Sequence, residues 1–108
     1  MVQYRLDQTF GAIADATRRG ILSRLARGDA SITDLAGAFD MTLTGMKKHV
    51  QVLEDARLVT TTKVGRGRTC RLGPRKLDDE RAWIDRYQQM LEERYDRLGA
   101  FLERTRGA

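Results

Sequence analysis

Cysteine, histidine and proline each occur once in the 108 residues of this chain. A lone Cys70 excludes an internal disulfide and a cysteine-built metal cage. A lone His49 leaves too few nitrogen ligands for a zinc site, and one His with one Cys do not assemble a nucleophile–base constellation. The expectation is therefore a protein that is not an enzyme and has neither metal nor other cofactor. Gly65-Arg66-Gly67-Arg68-Thr69-Cys70 lacks the spacing and the lysine–hydroxyl pair of a phosphate-binding loop. No run of about 18 apolar residues is present to span a bilayer. The opening MVQYRLDQTF has neither the charged nor the apolar region of a signal peptide, which points to a cytoplasmic location. Repeats, linkers and low-complexity segments are also missing.

What is present is globular: 41% hydrophobic and 32% charged residues, read as one domain over 1–108 with a small core that partner burial helps to complete. The net charge of +5 is unevenly placed. Up to Met41 there are five bases and five acids. From Thr42 to Arg75 there are eight bases (Lys47, Lys48, Arg57, Lys63, Arg66, Arg68, Arg71, Arg75) against Glu54 and Asp55. From Lys76 onward there are seven bases and eight acids. A positive field confined to the middle third is the footprint expected of a nucleic-acid surface.

Apolar residues at Leu6, Phe10, Ile13 and Ala14 predict a helix over Tyr4 to Ala14. Asp15 is placed to cap the next one, which carries Ile21, Leu22 and Leu25 and stops at Gly28. Ala30 to Ile32 is long enough only for a brief strand. Thr33 is a candidate cap for a third helix with Leu35, Ala36 and Phe39. After a tight Asp40-Met41 connection, Thr42 caps a fourth helix. Two helices joined by so short a turn, the second polar outward, predict a helix-turn-helix over 33–56. Val- and Thr-rich flanks around Gly65-Arg66-Gly67-Arg68 predict a β-hairpin over 58–72, the wing of a winged helix. Trp83, Ile84, Tyr87, Met90, Leu91, Leu98, Phe101 and Leu102 keep helical spacing across 79–105, and Asp78-Asp79-Glu80 favour its start through the dipole. The fold class expected is mainly α with a small β-hairpin wing.

The fourth helix carries the chemistry. Met46, Val50, Leu53 and, one turn on, Arg57 fall on one side; Thr44, Lys47, Lys48 and Gln51 fall on the other, with no carboxylate before Glu54. Its N-terminal turn suits a phosphate. Thr42, Leu43, Thr44, Lys47 and Gln51 are the candidates for base contact in the major groove, where threonine, lysine and glutamine can bond base edges and an apolar side chain can meet a thymine methyl. Lys48, His49, Lys63, Arg66, Arg68 and Arg71 are expected mainly at the phosphate backbone. His49 is equally readable as a packing residue, the hairpin bases as edge protection, and Gly45 as a point of close approach to DNA or to another helix. Cys70 reads as a half-buried structural thiol; a redox role would need a depressed pKa. The long last helix exposes more apolar surface than one small domain buries. Leu6, Phe10, Trp83, Tyr87, Leu91, Leu98 and Leu102 are therefore expected at the interface of a two-fold homodimer.

FGAIADATRRGIL, ITDLAGAF, TLTGMKKHVQVLEDARLV and GRGRTCRL, taken together over Phe10 to Leu72, closely resemble the ArsR/SmtB-type winged-helix repressors. The resemblance implies a homodimer, joined through the last helix, that binds a two-fold-related operator in double-stranded DNA and represses transcription by occluding polymerase. Metal-sensing relatives carry two cysteines on the third helix, where this chain has Ser31 and Thr33, or histidines on the last helix, where it has none. It thus resembles a member without metal sensing, its effector, if any, unspecified. Arg57 stands where relatives usually have Gly, so a reshaped turn is expected there; Lys47 replaces a smaller residue, and Cys70 an aromatic. Two alternatives stand beside the repressor: a winged-helix module whose basic face binds an acidic protein, and a repressor switched by oxidation of Cys70.

Overall fold

In a computed structural model, residues 2–106 are described. They fall into two compact units, the first ending at Lys76 and the second beginning at Leu77. The first unit runs α1 (Val2–Ile13), α2 (Ala16–Leu25), β1 (Ala30–Ser31), α3 (Ile32–Ala38), α4 (Leu43–Asp55), β2 (Val59–Val64) and β3 (Gly67–Leu72). The second is α5 (Asp78–Arg106).

Short polar side chains start the helices. Asp15 accepts the Arg18 N–H at 3.0 Å to open α2, and Thr42 accepts the Gly45 N–H at 3.0 Å to open α4. That backbone hydrogen bond, with the nearby cationic side chain of Arg18, holds the Asp15 carboxyl below its usual range despite some desolvation. At α3 the cap is Ser31, which accepts from Asp34, and not Thr33, which lies within the first turn. Both residues offer a hydroxyl; β1 decides between them, because its pairing ends at Ser31 and leaves that residue extended.

Both helices of the helix-turn-helix end in the same clasp. After α3, Asp40 and Met41 donate to the carbonyls of Gly37 and Ala36; after α4, Arg57 and Leu58 donate to those of Glu54 and Leu53. This Schellman pattern requires a left-handed residue, here Asp40 at φ 53° and Arg57 at φ 63°. Asp tolerates that region; Arg does so at a cost of roughly 1–2 kcal/mol. The expected reshaping of the turn therefore does not occur: the ordinary motif is kept and Arg57 carries the strain. Arg57 is also exposed and does not continue the apolar side of α4.

The sheet has three antiparallel strands in the order β1-β3-β2, so the second wing strand is central. Val64 and Gly67 face each other across a two-residue loop whose first residue, Gly65, takes φ 59°, the place glycine fills in a type II′ turn. Ile21, Leu25, Leu35, Met46, Val50, Leu53, Leu58, Val59 and Cys70 form the core of the first unit together with Leu6 and Ala12 of α1. The 29 residues of α5 extend about 43 Å, with Asp78, Asp79 and Glu80 in the first turn and Arg104 and Arg106 in the last, both matching the dipole.

Candidate nucleic-acid interface

Three buried residues, Met46, Val50 and Leu53, anchor α4. The opposite side is open: Thr42, Leu43, Thr44, Lys47, Lys48 and Gln51 are all exposed. Gly45 is tight against its own cap, since a Cβ there would lie 3.1 Å from the Thr42 hydroxyl and 3.3 Å from the Met41 methyl. Gln51 donates from Nε2 to Asp55 at 2.8 Å, one turn further along.

The wing comes to the same side. Lys63 pairs directly with Arg68 across the hairpin, and by the strand period of two they share a face with Val59, Thr61 and Cys70, the face that packs inward nearer the core. Past the core that face is free, and its bases join α4. Leu43 and Lys47 line one concavity of about 280 Å³ with Lys63, Arg66, Gly67 and Arg68, closed at its base by Ile32 and Thr33 of α3. Thr61 fastens the two elements. Its hydroxyl donates to Glu54 Oε2 of α4 at 2.6 Å and accepts from Arg68 Nε and Nη2 at 3.2 and 2.9 Å. One hydroxyl thus engages Glu54 and sets an arginine. Sequence reasoning did not single out Thr61 or Glu54, because their meeting depends on how α4 lies across the hairpin.

Two candidate residues are set apart from this cluster. Arg71 has the other parity, shares the outer face with Thr62 and Thr69, and reaches the Thr62 hydroxyl at 3.5 Å. His49 is half-buried on the flank of α4 that meets α2. Arg18 Nη1 donates to its Nδ1 at 3.2 Å, while Asp15 lies 4.0 Å away. A guanidinium only donates, so in that pairing Nδ1 is the acceptor. Arg18 also donates to the Ala12 and Gly11 carbonyls at 2.7 and 3.0 Å, closing the end of α1. His49 therefore takes the packing role, as part of the joint among α1, α2 and α4.

Cys70 is fully buried, not half-buried, because β1 covers the strand edge that a two-stranded hairpin would leave open. Burial and then Glu54 push its thiol pKa up, against a smaller opposing effect of Arg68. A sensor thiol needs the reverse on both counts, exposure and thiolate character. Alkylation of the native protein by iodoacetamide at pH 8 is expected to be at least about tenfold slower than in denaturant; equal rates would reinstate the redox variant.

Among the described residues no group of three or more His, Cys, Asp or Glu is placed to hold a metal ion. None of the described helices is long and apolar enough to cross a membrane.

A helix-turn-helix followed by a basic hairpin on the same side defines a winged-helix DNA-binding protein. Residues 13–62 match a family model described as a helix-turn-helix domain. Over 81 residues the chain is 36% identical to the HTH-type transcriptional regulator Rv2034 of Mycobacterium tuberculosis, covering 75% of this chain and 76% of that one. It is 29% identical to the transcriptional repressor SdpR of Bacillus subtilis over 73% of this chain and 88% of that one. Among solved structures, the ArsR family transcriptional regulator RHA00566 superposes with a TM-score of 0.75 at 40% identity, covering 83% and 93% of the two chains. A homodimeric winged helix-turn-helix domain, Mb0332 of Mycobacterium bovis, gives 0.64 at 24% identity over 84% and 82%. The chain belongs to the ArsR family of winged helix-turn-helix transcriptional regulators, and its function is DNA-binding control of transcription.

Proposed function

We propose that this chain is a dimeric repressor that lays α4 in the major groove of a two-fold-related operator and sets the wing on the flanking backbone. The observation that carries the reading is the shared concavity: Lys47 of the recognition helix and Lys63, Arg66 and Arg68 of the wing line one surface. In this reading Thr42, Leu43, Thr44, Lys47 and Gln51 touch bases. Lys48, Lys63, Arg66 and Arg68 hold phosphates and set the register. Arg71 reaches only backbone outside the central groove, and His49 acts by holding α4 on α2. Repression follows from steric occlusion at a promoter, in keeping with the similarity to SdpR.

Dimerisation is supported by α5. Trp83, Tyr87, Leu98 and Leu102 are about half exposed, Leu91 is partly covered, and the Trp83 and Tyr87 rings stack at 5.8 Å. That stripe suits a second copy, and the half-buried Phe10 of α1 is a further candidate for such an interface; the homodimeric relative has the same fold. Leu6 contributes little, because it is already buried within the chain. A two-fold pair sets its recognition helices one DNA turn, about 34 Å, apart.

Selecting bound duplexes from a random pool tests the reading. The expected product is a motif with two-fold symmetry; sequence-indifferent binding would favour the module that docks an acidic protein. Lys47→Ala and Gln51→Ala are expected to relax preference by about 1–3 kcal/mol at single positions of that motif, and an unchanged motif would count against direct readout by these side chains.

A further inference from the structure

Two adjoining cavities, of about 420 and 480 Å³, open at the C-terminal end of α4, away from its capped N-terminus. Arg5 of α1, Arg57 of the α4 clasp and Arg75 line both. The first is walled by Val59 and Pro74, the second by Tyr4 and Gln8. The acids at their rim are engaged elsewhere, Glu54 by Thr61 and Asp55 by Gln51. Arg75 is held in place, donating to the Thr9 hydroxyl and, at 3.2 Å, to the Ala56 carbonyl. The guanidinium groups of Arg5 and Arg57, by contrast, have no hydrogen-bond or ion-pair partner among the described residues. Three guanidinium groups against two carboxylates already hydrogen-bonded elsewhere, around a partly apolar hollow, leave a net positive arrangement that attracts a planar oxyanion.

Arg57 adds an independent observation. It occupies the left-handed position at φ 63° that a glycine would fill without strain, whereas the matching position after α3 holds an aspartate, which tolerates it. Backbone strain of this kind gathers at functional sites. Here the strained residue is one that lines both cavities, at the turn that ends α4.

We propose that these cavities form one binding site for a small organic carboxylate with an apolar body, and that its occupancy alters DNA affinity through the C-terminal clasp of α4. The carboxylate meets Arg5, Arg57 and Arg75, and the apolar body lies against Pro74, with the buried Val59 at the floor. The hollow is of the size that takes a small ligand. The coupling half rests on the duplex binding proposed above; the binding half does not, so the two fail separately.

The test uses the full chain with benzoate as probe, followed by calorimetry without DNA, and acetate, inorganic phosphate and benzyl alcohol as controls. Benzoate is expected to bind saturably, with acetate, phosphate and benzyl alcohol each at least about tenfold weaker. Arg57→Gly keeps the clasp in a residue suited to it and should weaken benzoate at least about tenfold, as should Arg5→Gln on the other wall. Equal affinity in both variants, or tight phosphate binding with no benzoate preference, would overturn the site. In the parent chain saturating benzoate should change duplex affinity by about 5-fold or more, and in Arg57→Gly at the same concentration it should not. An unchanged affinity in the parent would overturn the coupling.

Discussion

Lys63→Ala/Arg66→Ala is expected to lose affinity for every duplex alike, and to flatten the dependence of log K on log salt by about 0.9 for each phosphate contact removed, roughly 1.8 per protomer and 3.6 for the dimer on its operator. Both side chains are exposed at the wing tip and line the concavity that includes Lys47. Neither makes a hydrogen bond that holds the fold, unlike Arg68, whose guanidinium sits on Thr61. The pair therefore separates charge from scaffold. Its melting temperature should match the parent, and the identity of the preferred motif should survive, because phosphate contacts position and do not read. Fluorescence anisotropy over a series of potassium chloride concentrations measures the slope. A parent-like slope in the double variant would remove the wing tip from the DNA footprint.

The largest effect on stability is expected at Gly73. An added Cβ would lie 2.6 Å from the Arg57 carbonyl oxygen and 3.3 Å from the Leu58 carbonyl carbon. Both are backbone atoms, with no rotamer through which to yield. The Gly73 N–H also donates to the Leu58 carbonyl at 2.9 Å, tying the exit of the wing to the end of α4. Gly73→Ala must break that tie or displace the clasp after α4. A cost of about 3 kcal/mol is expected, at the upper end of overpacking changes, lowering the melting temperature by roughly 12–24 °C for a chain of this size. Urea and thermal melts followed by circular dichroism measure it, and a midpoint within about two degrees of the parent would mean that the tie is not needed.

The order of elements was legible because each obeyed one local rule. Apolar spacing gave α4 and α5 to within a residue or two, Val and Thr around Gly65 gave the hairpin, and Asp15 and Thr42 announced their caps. The remainder depended on contacts distant in sequence. A two-residue β1 carries no pattern of its own, yet it buries Cys70 and moves the α3 cap to Ser31. The hairpin register decides that Lys63 and Arg68 share a face and that Arg71 does not, and that register is known only once the loop is seen to hold two residues. Arg57 looked incompatible with the turn by its own preference; the hydrogen bonds of Arg57, Leu58 and Gly73 outweigh that preference. Periodicity likewise put Leu6 on an apolar stripe without saying that the chain itself would cover it. His49 needed Arg18, thirty-one positions earlier, to show which way it turns.

The Thr61 hydroxyl, bonded at once to Glu54 and to Arg68, has a consequence for engineering specificity. Helix and wing are tied through that hydroxyl, so α4 transplanted alone into a relative without it would lose the contact that sets its companion arginine. A working graft has to carry residues 42–72 as a block.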